Sequence, residues 1–130
     1  MTEPITFPHA GTFAVDLLNA ELPNGLTAYK KVPSHATEPN GSEFVVVTVA
    51  GGFSETFITN AAQLIVDGYA SKDARAYEIC DIALSIIRAS DGLIRGARGF
   101  SYPQFLPDPT TSQIRYTSTG DVRIWTSSPS

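Results

Sequence analysis

Few residues of the chain have the types and the spacing that catalysis would require. The two histidines are His9, near the predicted start of a helix, and His35, in a loop that contains proline and glycine. Neither stands in a pattern typical of a catalytic triad, in which a base activates a nearby serine or cysteine. The single cysteine, Cys80, falls on an apolar helical stripe, so it is interpreted as a small core residue. We therefore predict no catalytic residue and expect that the chain is not an enzyme.

Metal and cofactor sites are not indicated by the sequence either. It contains no Cys-x-x-Cys, no His-x-x-x-His and no calcium-binding loop rich in Asp and Asn. The pair Gly51–Gly52 precedes Phe and Ser, not the Lys-Ser/Thr that opens the helix of a phosphate-binding loop. Arg95 and Arg98 lie near aromatic residues, but two arginines are few for a nucleic-acid site. We expect no cofactor and no metal.

Length and charge favour one small acidic domain. The chain has 130 residues, the size of a single domain, and residues 1–130 are predicted to form it, with 126–130 as a mobile polar tail. The formal net charge of −4 at pH 7 argues against nucleic-acid binding, which normally uses basic patches. No apolar run approaches the roughly 20 residues of a membrane span, and Met1–Pro8 lacks the regions of a signal peptide. We expect no membrane association.

The strongest helical pattern lies at Ser71–Ala89. Its apolar residues recur at a spacing of three to four and form one stripe, while most charged residues fall on the other side. Ser71 is predicted as the N-cap, and Gly92 is predicted to end the helix in a left-handed turn. A weaker pattern of the same kind predicts a helix at Pro8–Asn19.

Strand patterns occupy most of the remaining chain. A valine-rich segment is the clearest of them, and Gly51–Gly52 is predicted to end it before an antiparallel hairpin. Gly120 is predicted to mark a bulge in the last strand. The predicted fold is α+β, a mostly antiparallel β-sheet packed by two helices, in the order α-β-β-β-α-β-β. The predicted strands are Leu26–Val32, Glu43–Ala50, Ala61–Ala70, a short irregular one in Leu93–Phe100, an edge segment at Tyr102–Leu106 and Gln113–Trp125.

Several apolar residues are predicted to lie where a single domain would leave them uncovered. The unbroken apolar character of Glu43–Ala50 indicates that both faces of that strand are covered, by this domain or by a neighbouring subunit. The hairpin tip carries apolar residues among polar ones, for which local packing and a partner contact are both open. The residues predicted to form an interface are Val45, Val47, Phe53, Phe57, Ile58, Tyr102 and Trp125.

The order of several segments carries a resemblance to a known family. Pro23-Asn24-Gly25-Leu26 precedes the first strand, and Gln63-Leu64-Ile65-Val66-Asp67-Gly68-Tyr69-Ala70 leads directly into the main helix. Phe105-Leu106-Pro107-Asp108-Pro109, the most specific element, is followed by Gln113-Ile114-Arg115-Tyr116 at the start of the last strand. In these features, over nearly the whole chain, the sequence resembles the tail terminator proteins of long-tailed, siphovirus-type bacteriophages.

The resemblance implies a structural virion protein that forms a homo-oligomeric ring, taken to be a hexamer. Such a ring caps the tail tube, ends tube polymerisation and joins the tail to the head. The implied partners are further copies of the chain, the tail tube protein and a head-closure or neck protein. DNA would pass through the ring without specific binding. The implied location is the tail and neck of the virion, after assembly in the host cytoplasm.

Two other functions stay open at this point. The first is another neck component, such as a head-closure or head–tail joining protein, which the sequence separates poorly from a terminator. The second is a small intracellular ligand-binding domain or enzyme. That alternative predicts a deep pocket lined by titratable groups with perturbed pKa values.

Overall fold

A sheet of three long strands and three short ones, with both helices on one of its faces, forms the structure. The computed structural model describes residues 10–23, 25–33, 43–54, 59–92, 94–107 and 113–125. The elements are helix α1 (Ala10–Glu21), strands β1 (Thr27–Tyr29), β2 (Phe44–Ser54) and β3 (Thr59–Ala70), helix α2 (Asp73–Ala89), and strands β4 (Ile94–Arg98), β5 (Gln104–Phe105) and β6 (Ile114–Trp125).

The predicted α+β class with two helices and a mostly antiparallel sheet is confirmed. The strand order is β1-β2-β3-β6-β4, and β5 pairs with β6 on the side where β4 pairs. Three strands follow α2 where the predicted order had two, because the short edge segment forms a strand of its own. Only the β1–β2 pair is parallel among the pairs that the structure describes.

The antiparallel hairpin of β2 and β3 is confirmed, but its glycines do not end the first strand. Strand β2 continues through Gly51–Gly52 to Ser54, with a shift of register between Val49 and Gly51. Gly51 has a φ of 147°, a backbone conformation that glycine adopts without a steric penalty. Pairing with β3 therefore carries the strand across a local irregularity. The predicted tip residues Phe57 and Ile58 lie outside the described residues.

Helix α2 covers the middle of the sheet through the stripe that its sequence predicted. Most of the stripe is fully buried against the sheet, with Ile86 half-buried, and the prediction that Cys80 is a core residue is confirmed. The thiol lies 3.6 Å from the carbonyl oxygen of Val66. Burial, with the charge of Asp67 as the next cause, raises the pKa of Cys80 to about 12. Such a thiol is protonated at neutral pH, so it cannot act as a nucleophile. The buried residues of α2 are Ala76, Ile79, Cys80, Ala83, Leu84 and Ile87.

The predicted end of α2 at Ala89 is confirmed, but both of its predicted capping residues are wrong. The N-cap position belongs to Lys72 and not to Ser71, and no side chain caps the first turn. The helix ends at Ala89, where the backbone N–H of Ser90 donates to the carbonyl oxygen of Ile87, and Gly92 has no left-handed φ. Extended conformations at Lys72 and Ser90 turn the chain at the two ends instead.

Helix α1 ends later than predicted, and strand β1 is shorter than predicted. The described helix runs from Ala10 to Glu21 and so passes the predicted end at Asn19, and the predicted start at Pro8 lies outside the described residues. Strand β1 keeps only three residues of the predicted Leu26–Val32. Asn19 joins the two elements, because its side chain accepts from the N–H of Ala28 at 2.8 Å and donates to the carbonyl oxygen of Ala28 at 3.2 Å.

The face of the sheet opposite the helices carries a second apolar cluster. The rings of Phe44 and Tyr69 stack with centroids 4.6 Å apart, and the ring of Tyr29 packs edge-on against Phe44. Phe44, Val46 and Tyr69 are buried there, while Val45 and Val47 are buried on the helix face. From Phe44 to Val47 the apolar run of β2 is thus covered on both faces by this chain itself, whereas Val49 and Ala50 at its far end are exposed. Asp67 of β3 is also buried.

Gly120 serves a close contact and not the predicted bulge. The pairing of β6 with β3 runs without a register shift through Gly120, which lies opposite Leu64. A Cβ at this position would lie 2.4 Å from Cγ of the Phe100 ring. The missing side chain therefore makes room for Phe100 against the sheet.

We expect substitution of Gly68 to separate α2 from the sheet. A Cβ there would lie 2.5 Å from the backbone nitrogen of Cys80 and 2.7 Å from the carbonyl oxygen of Ala76. Because backbone must move, Gly68→Ala should lower the free energy of unfolding by about 1–3 kcal/mol, the usual cost of overpacking. Urea unfolding followed by circular dichroism measures this. Gly92→Ala is the matched control, since its Cβ would meet nothing within 4 Å. Equal stabilities of the two variants would contradict the role of Gly68.

Candidate interaction surface

The predicted interface residues divide into three groups in the structure. Val45 and Val47 are 0% and 1% exposed, so their predicted interface role is wrong: the helices of the same chain cover them. Phe53 and Trp125 belong to β2 and β6, but their side chains lie outside the described residues, as do Phe57 and Ile58 entirely. Tyr102 is 73% exposed, in agreement with a contact role.

Tyr102 belongs to a larger group of exposed aromatic and apolar side chains beside β5. Phe105 is 54% exposed and Leu106 is 44% exposed. Two half-buried tyrosines, Tyr77 of α2 and Tyr116 of β6, form the base of the group. We call these five residues the aromatic surface. Tyrosine in such a position combines a large rigid contact area with a polar end, a combination enriched in protein interfaces.

The rings of the aromatic surface support one another. The centroid of Tyr77 lies 5.6 Å from that of Tyr102 and 5.7 Å from that of Tyr116, the second pair with its planes at 89°. The ring of Phe105 lies 6.0 Å from Tyr116, at an angle of 62°. These tilted and edge-on arrangements are the ones that aromatic quadrupoles favour. The exposed side chains therefore stand on a packed base.

Arg115 fixes the segment that carries Phe105 and Leu106. Its Nε donates to the carbonyl oxygen of Leu106 at 3.1 Å, and its Nη2 donates to that of Pro107 at 3.0 Å. Its Nη1 lies 3.4 Å from the hydroxyl of Tyr69. In the other direction, the N–H of Leu106 donates to the carbonyl oxygen of Arg115 at 2.9 Å. A planar guanidinium can satisfy several acceptors at once in this way, whereas an ammonium acts as a point charge.

Polar contacts hold the tyrosines from beneath. The hydroxyl of Tyr116 donates to the carboxylate of Asp73, with both oxygens 2.9 Å away. This hydrogen bond raises the pKa of Tyr116, and a hydrogen bond with Tyr102 is the main cause that raises the pKa of Tyr77 to about 12. Both hydroxyls are therefore protonated at neutral pH. Asp73 itself opens α2, where the helix dipole favours a negative charge.

The alternative of an enzyme or ligand-binding domain predicts a pocket lined by titratable groups. The described residues contain no group of three or more His, Cys, Asp or Glu that could hold a metal ion. An open groove of about 530 Å³ lies between the C-terminal ends of α1 and α2, lined by Leu17, Glu21, Ile86 and Asp91 among others. Its carboxylates have no histidine or cysteine beside them among these lining residues. No described helix is long and apolar enough to cross a membrane.

Sequence reasoning found Tyr102 but missed most of the aromatic surface. Phe105 and Leu106 were predicted only as part of the edge segment and of the segment that carries the family resemblance, and Tyr77 was not predicted to be part of any surface. A signal did exist, because two apolar residues stand next to a proline turn that would keep them from a continuous strand. The convergence of α2 and β6 beneath them has no local signal, since Tyr77 and Tyr116 are far apart in the chain.

We expect Arg115→Lys to loosen the segment at Leu106 without unfolding the protein. Lysine keeps the charge but loses the planar fork that contacts the carbonyl oxygens of Leu106 and Pro107. The amide hydrogen of Leu106 should exchange faster, and the free energy of unfolding should fall by about 1 kcal/mol. Hydrogen exchange by NMR provides the measurement, with Arg88→Lys on the exposed side of α2 as control. An unchanged exchange rate of the Leu106 amide would show that Arg115 does not hold this segment in place.

We expect alkaline pH to weaken the aromatic surface. The pKa of Tyr77 is raised to about 12, mainly by hydrogen bonding with Tyr102, whereas a tyrosine in an unfolded chain has a pKa of about 10. Because the folded value is the higher one, the stabilisation is complete below about pH 10 and is lost as the pH rises towards 12. Urea midpoints over this window should fall more steeply for the natural chain than for Tyr77→Phe. Identical pH dependence of the two proteins would refute the expectation.

Compared with known proteins, the chain matches no family model and no curated protein.

Proposed function

We propose that the chain is a structural virion protein, a phage tail terminator, and that it acts through surfaces of contact and not through catalysis. A homo-oligomeric ring of such chains would cap the tail tube, end its polymerisation and join the tail to the head. The partners would be further copies of the chain, the tail tube protein and a head-closure protein of the neck. The observation that carries the proposal is the aromatic surface.

The aromatic surface supports an assembly role because of what it exposes. Tyr102, Phe105 and Leu106 are 73%, 54% and 44% exposed, and the rings of Tyr102 and Phe105 are connected through those of Tyr77 and Tyr116. Adjacent large apolar side chains of this kind usually mark a site of protein–protein contact. Tyrosine is one of the residue types that often dominate the binding energy of a protein contact, and phenylalanine is enriched in such contacts.

Rigidity is the second property that supports this role. The carbonyl oxygens of Leu106 and Pro107 accept from Arg115, and Tyr116 donates to Asp73. A surface held in this way pays little further conformational entropy when it binds. Such pre-organisation suits an assembly protein that must stop a polymer at one defined end.

The same contact supports the resemblance to tail terminators. The two segments that carry its most specific element are Phe105–Pro109 and Gln113–Tyr116. Arg115 of the second segment donates to the carbonyl oxygens of Leu106 and Pro107 in the first. The pairing of these segments thus has a physical basis, because one of them positions the other.

Termination would follow from occupancy of the tube end. A ring docked by one of its faces buries the surface that the next tube subunit needs, so polymerisation stops while the ring stays bound. A closed ring of identical chains requires two different, complementary surfaces on each copy. The aromatic surface is proposed as one of the two.

The mass of the protein in solution, alone and with purified tail tubes, tests the proposal. Light scattering should give a ring mass, or a monomer that binds only at tube ends. A monomer that is indifferent to tail tubes would overturn the terminator assignment. Binding to a portal-side adaptor, and not to tubes, would assign the chain to another part of the neck.

We expect Phe105→Asp to abolish ring formation or tube capping while the monomer stays folded. Phe105 is 54% exposed, so a carboxylate costs little in the free chain but would be buried without a partner in the assembly. Light scattering and electron microscopy of tube ends measure the effect. Ser85→Asp, on an exposed position of α2, is the control that adds the same charge elsewhere. Normal capping by the Phe105→Asp variant would exclude the aromatic surface from the interface.

A further inference from the structure

The edges of the sheet differ in how their backbone groups are satisfied. At β1 the side chain of Asn19 accepts from the N–H of Ala28 at 2.8 Å and donates to its carbonyl oxygen at 3.2 Å. One carboxamide thereby takes the place that a further strand would occupy. Natural proteins close exposed edges by such devices, because an open edge pairs with other chains. The outer edge of β1 is closed at Ala28.

The edge at β4 is closed by different means. The hydroxyl of Ser90 donates to the carbonyl oxygen of Ile94, and the backbone of Asp91 forms a bridge with Arg95. The pairing of β4 with β6 shifts register between Arg95 and Arg98, where Gly96 has a φ of 66°. A kinked edge with arginines at both sides of the kink is a poor template for another strand.

Strand β2 has an edge that no described strand covers. Its pairing with β1 ends at Val46, so the range Val47–Ser54 has no described strand paired with it on that side. Thr48, Val49 and Ala50 are exposed there, and no residue of this range is charged. Backbone N–H and C=O groups of such a range require partners, and a strand of another chain can supply them.

Strand β5 is the other described edge that remains open. Its inner side pairs with β6, where Gln104 lies opposite Thr117 and Phe105 lies opposite Tyr116. No described strand lies on its outer side, and the residues around it, including Leu106, are uncharged and exposed except for the buried Pro103. The aromatic surface therefore includes a segment of strand with one free side.

We propose that a second copy of this chain adds its β5 segment, antiparallel, to the open edge of β2 at Thr48–Ser54, so that the sheet continues from one copy to the next. Strands β2, β3, β6 and β5 alternate in direction, so β5 of one copy placed beside β2 of the next preserves the antiparallel order. This inference rests on the proposed function, because it names the partner of the aromatic surface.

The pairing meets the requirements of a ring. It joins two different surfaces of the chain, as head-to-tail closure demands. Within one copy Phe105 lies level with Tyr116, Gly68 and Val45, so placing it beside Val49 shifts the next copy by four residues, about 13 Å along the strands. Closed sheets normally contain a stagger of this kind, together with a tilt of the strands. The apolar side chains of Phe105 and Val49 would then cover each other.

Cross-linking between two single-cysteine variants tests the pairing. Thr48 and Gln104 are both exposed and lie on the face of the sheet opposite the helices, so a short bis-maleimide can join Thr48→Cys of one copy to Gln104→Cys of the next. The natural Cys80 is buried and has a pKa raised to about 12, so it stays unreactive. A mixture of Thr48→Cys with Ser85→Cys is the matched control.

We expect covalent dimers from the mixture of Thr48→Cys with Gln104→Cys. The variant that carries both substitutions should give a series of covalent oligomers that ends at the mass of the ring. Val49→Lys should remove both, because an edge lysine blocks strand pairing, while Ser85→Lys should not. Dimers from Thr48→Cys alone would overturn the inference in favour of a two-fold β2–β2 contact. A ring mass without cross-links would overturn it and leave the proposed function intact. A series of covalent oligomers without any effect on tail tubes would support it and refute the terminator role.

Discussion

The approach of α2 to β3 at Gly68 is the contact on which the rest of the structure depends. A side chain there would meet the backbone of Ala76 and Cys80, so the helix lies directly on the strand. This position sets where α2 begins, only a few residues after β3 ends, and hence where Asp73 and Tyr77 stand above β6. The base of the aromatic surface is thus a consequence of a missing Cβ in the core. A small displacement of α2 would separate tyrosines that are close only because the helix is close.

The fold could be predicted where the sequence carries a strong periodic signal. The stripe of α2 is buried as its spacing indicates, and the hairpin of β2 and β3 forms as its valines and glycines indicate. The prediction failed where distant pairing overrides local preference. Glycine at position 51 predicts the end of a strand from local preference alone, yet the pairing of β2 with β3 continues past it to Ser54. The predicted N-cap of α2 was wrong for a related reason. The turn that follows β3 places Lys72 at the N-cap, although Ser71 is the better capping residue type.

The candidate surface was predictable only in part. Whether a side chain is exposed depends on how the helices and strands pack on one another, which local sequence does not specify. Val45 and Val47 have the apolar character of an interface strand, but the sequence cannot tell a helix of the same chain from a neighbouring subunit as the cover. Tyr102 was predicted as an interface residue, and it stands at the start of the predicted edge segment Tyr102–Leu106. Arg115 could not be identified, because its role is to bind backbone carbonyl oxygens of Leu106 and Pro107, and backbone acceptors leave no mark on sequence.

Two edges of the described sheet are closed by hydrogen bonds, and two are left open. The side chain of Asn19 hydrogen-bonds to both backbone groups of Ala28 in β1. At β4, the hydroxyl of Ser90 donates to Ile94 and the backbone of Asp91 bridges to Arg95. Each device satisfies backbone groups of an edge strand, whose unpaired groups would otherwise be a liability. A chain that closes two edges in this way and leaves apolar, uncharged ranges open on β2 and β5 retains the liability at those two places. In a protein that must meet copies of itself in one orientation, closed edges exclude wrong pairings and open ones select the right pairing.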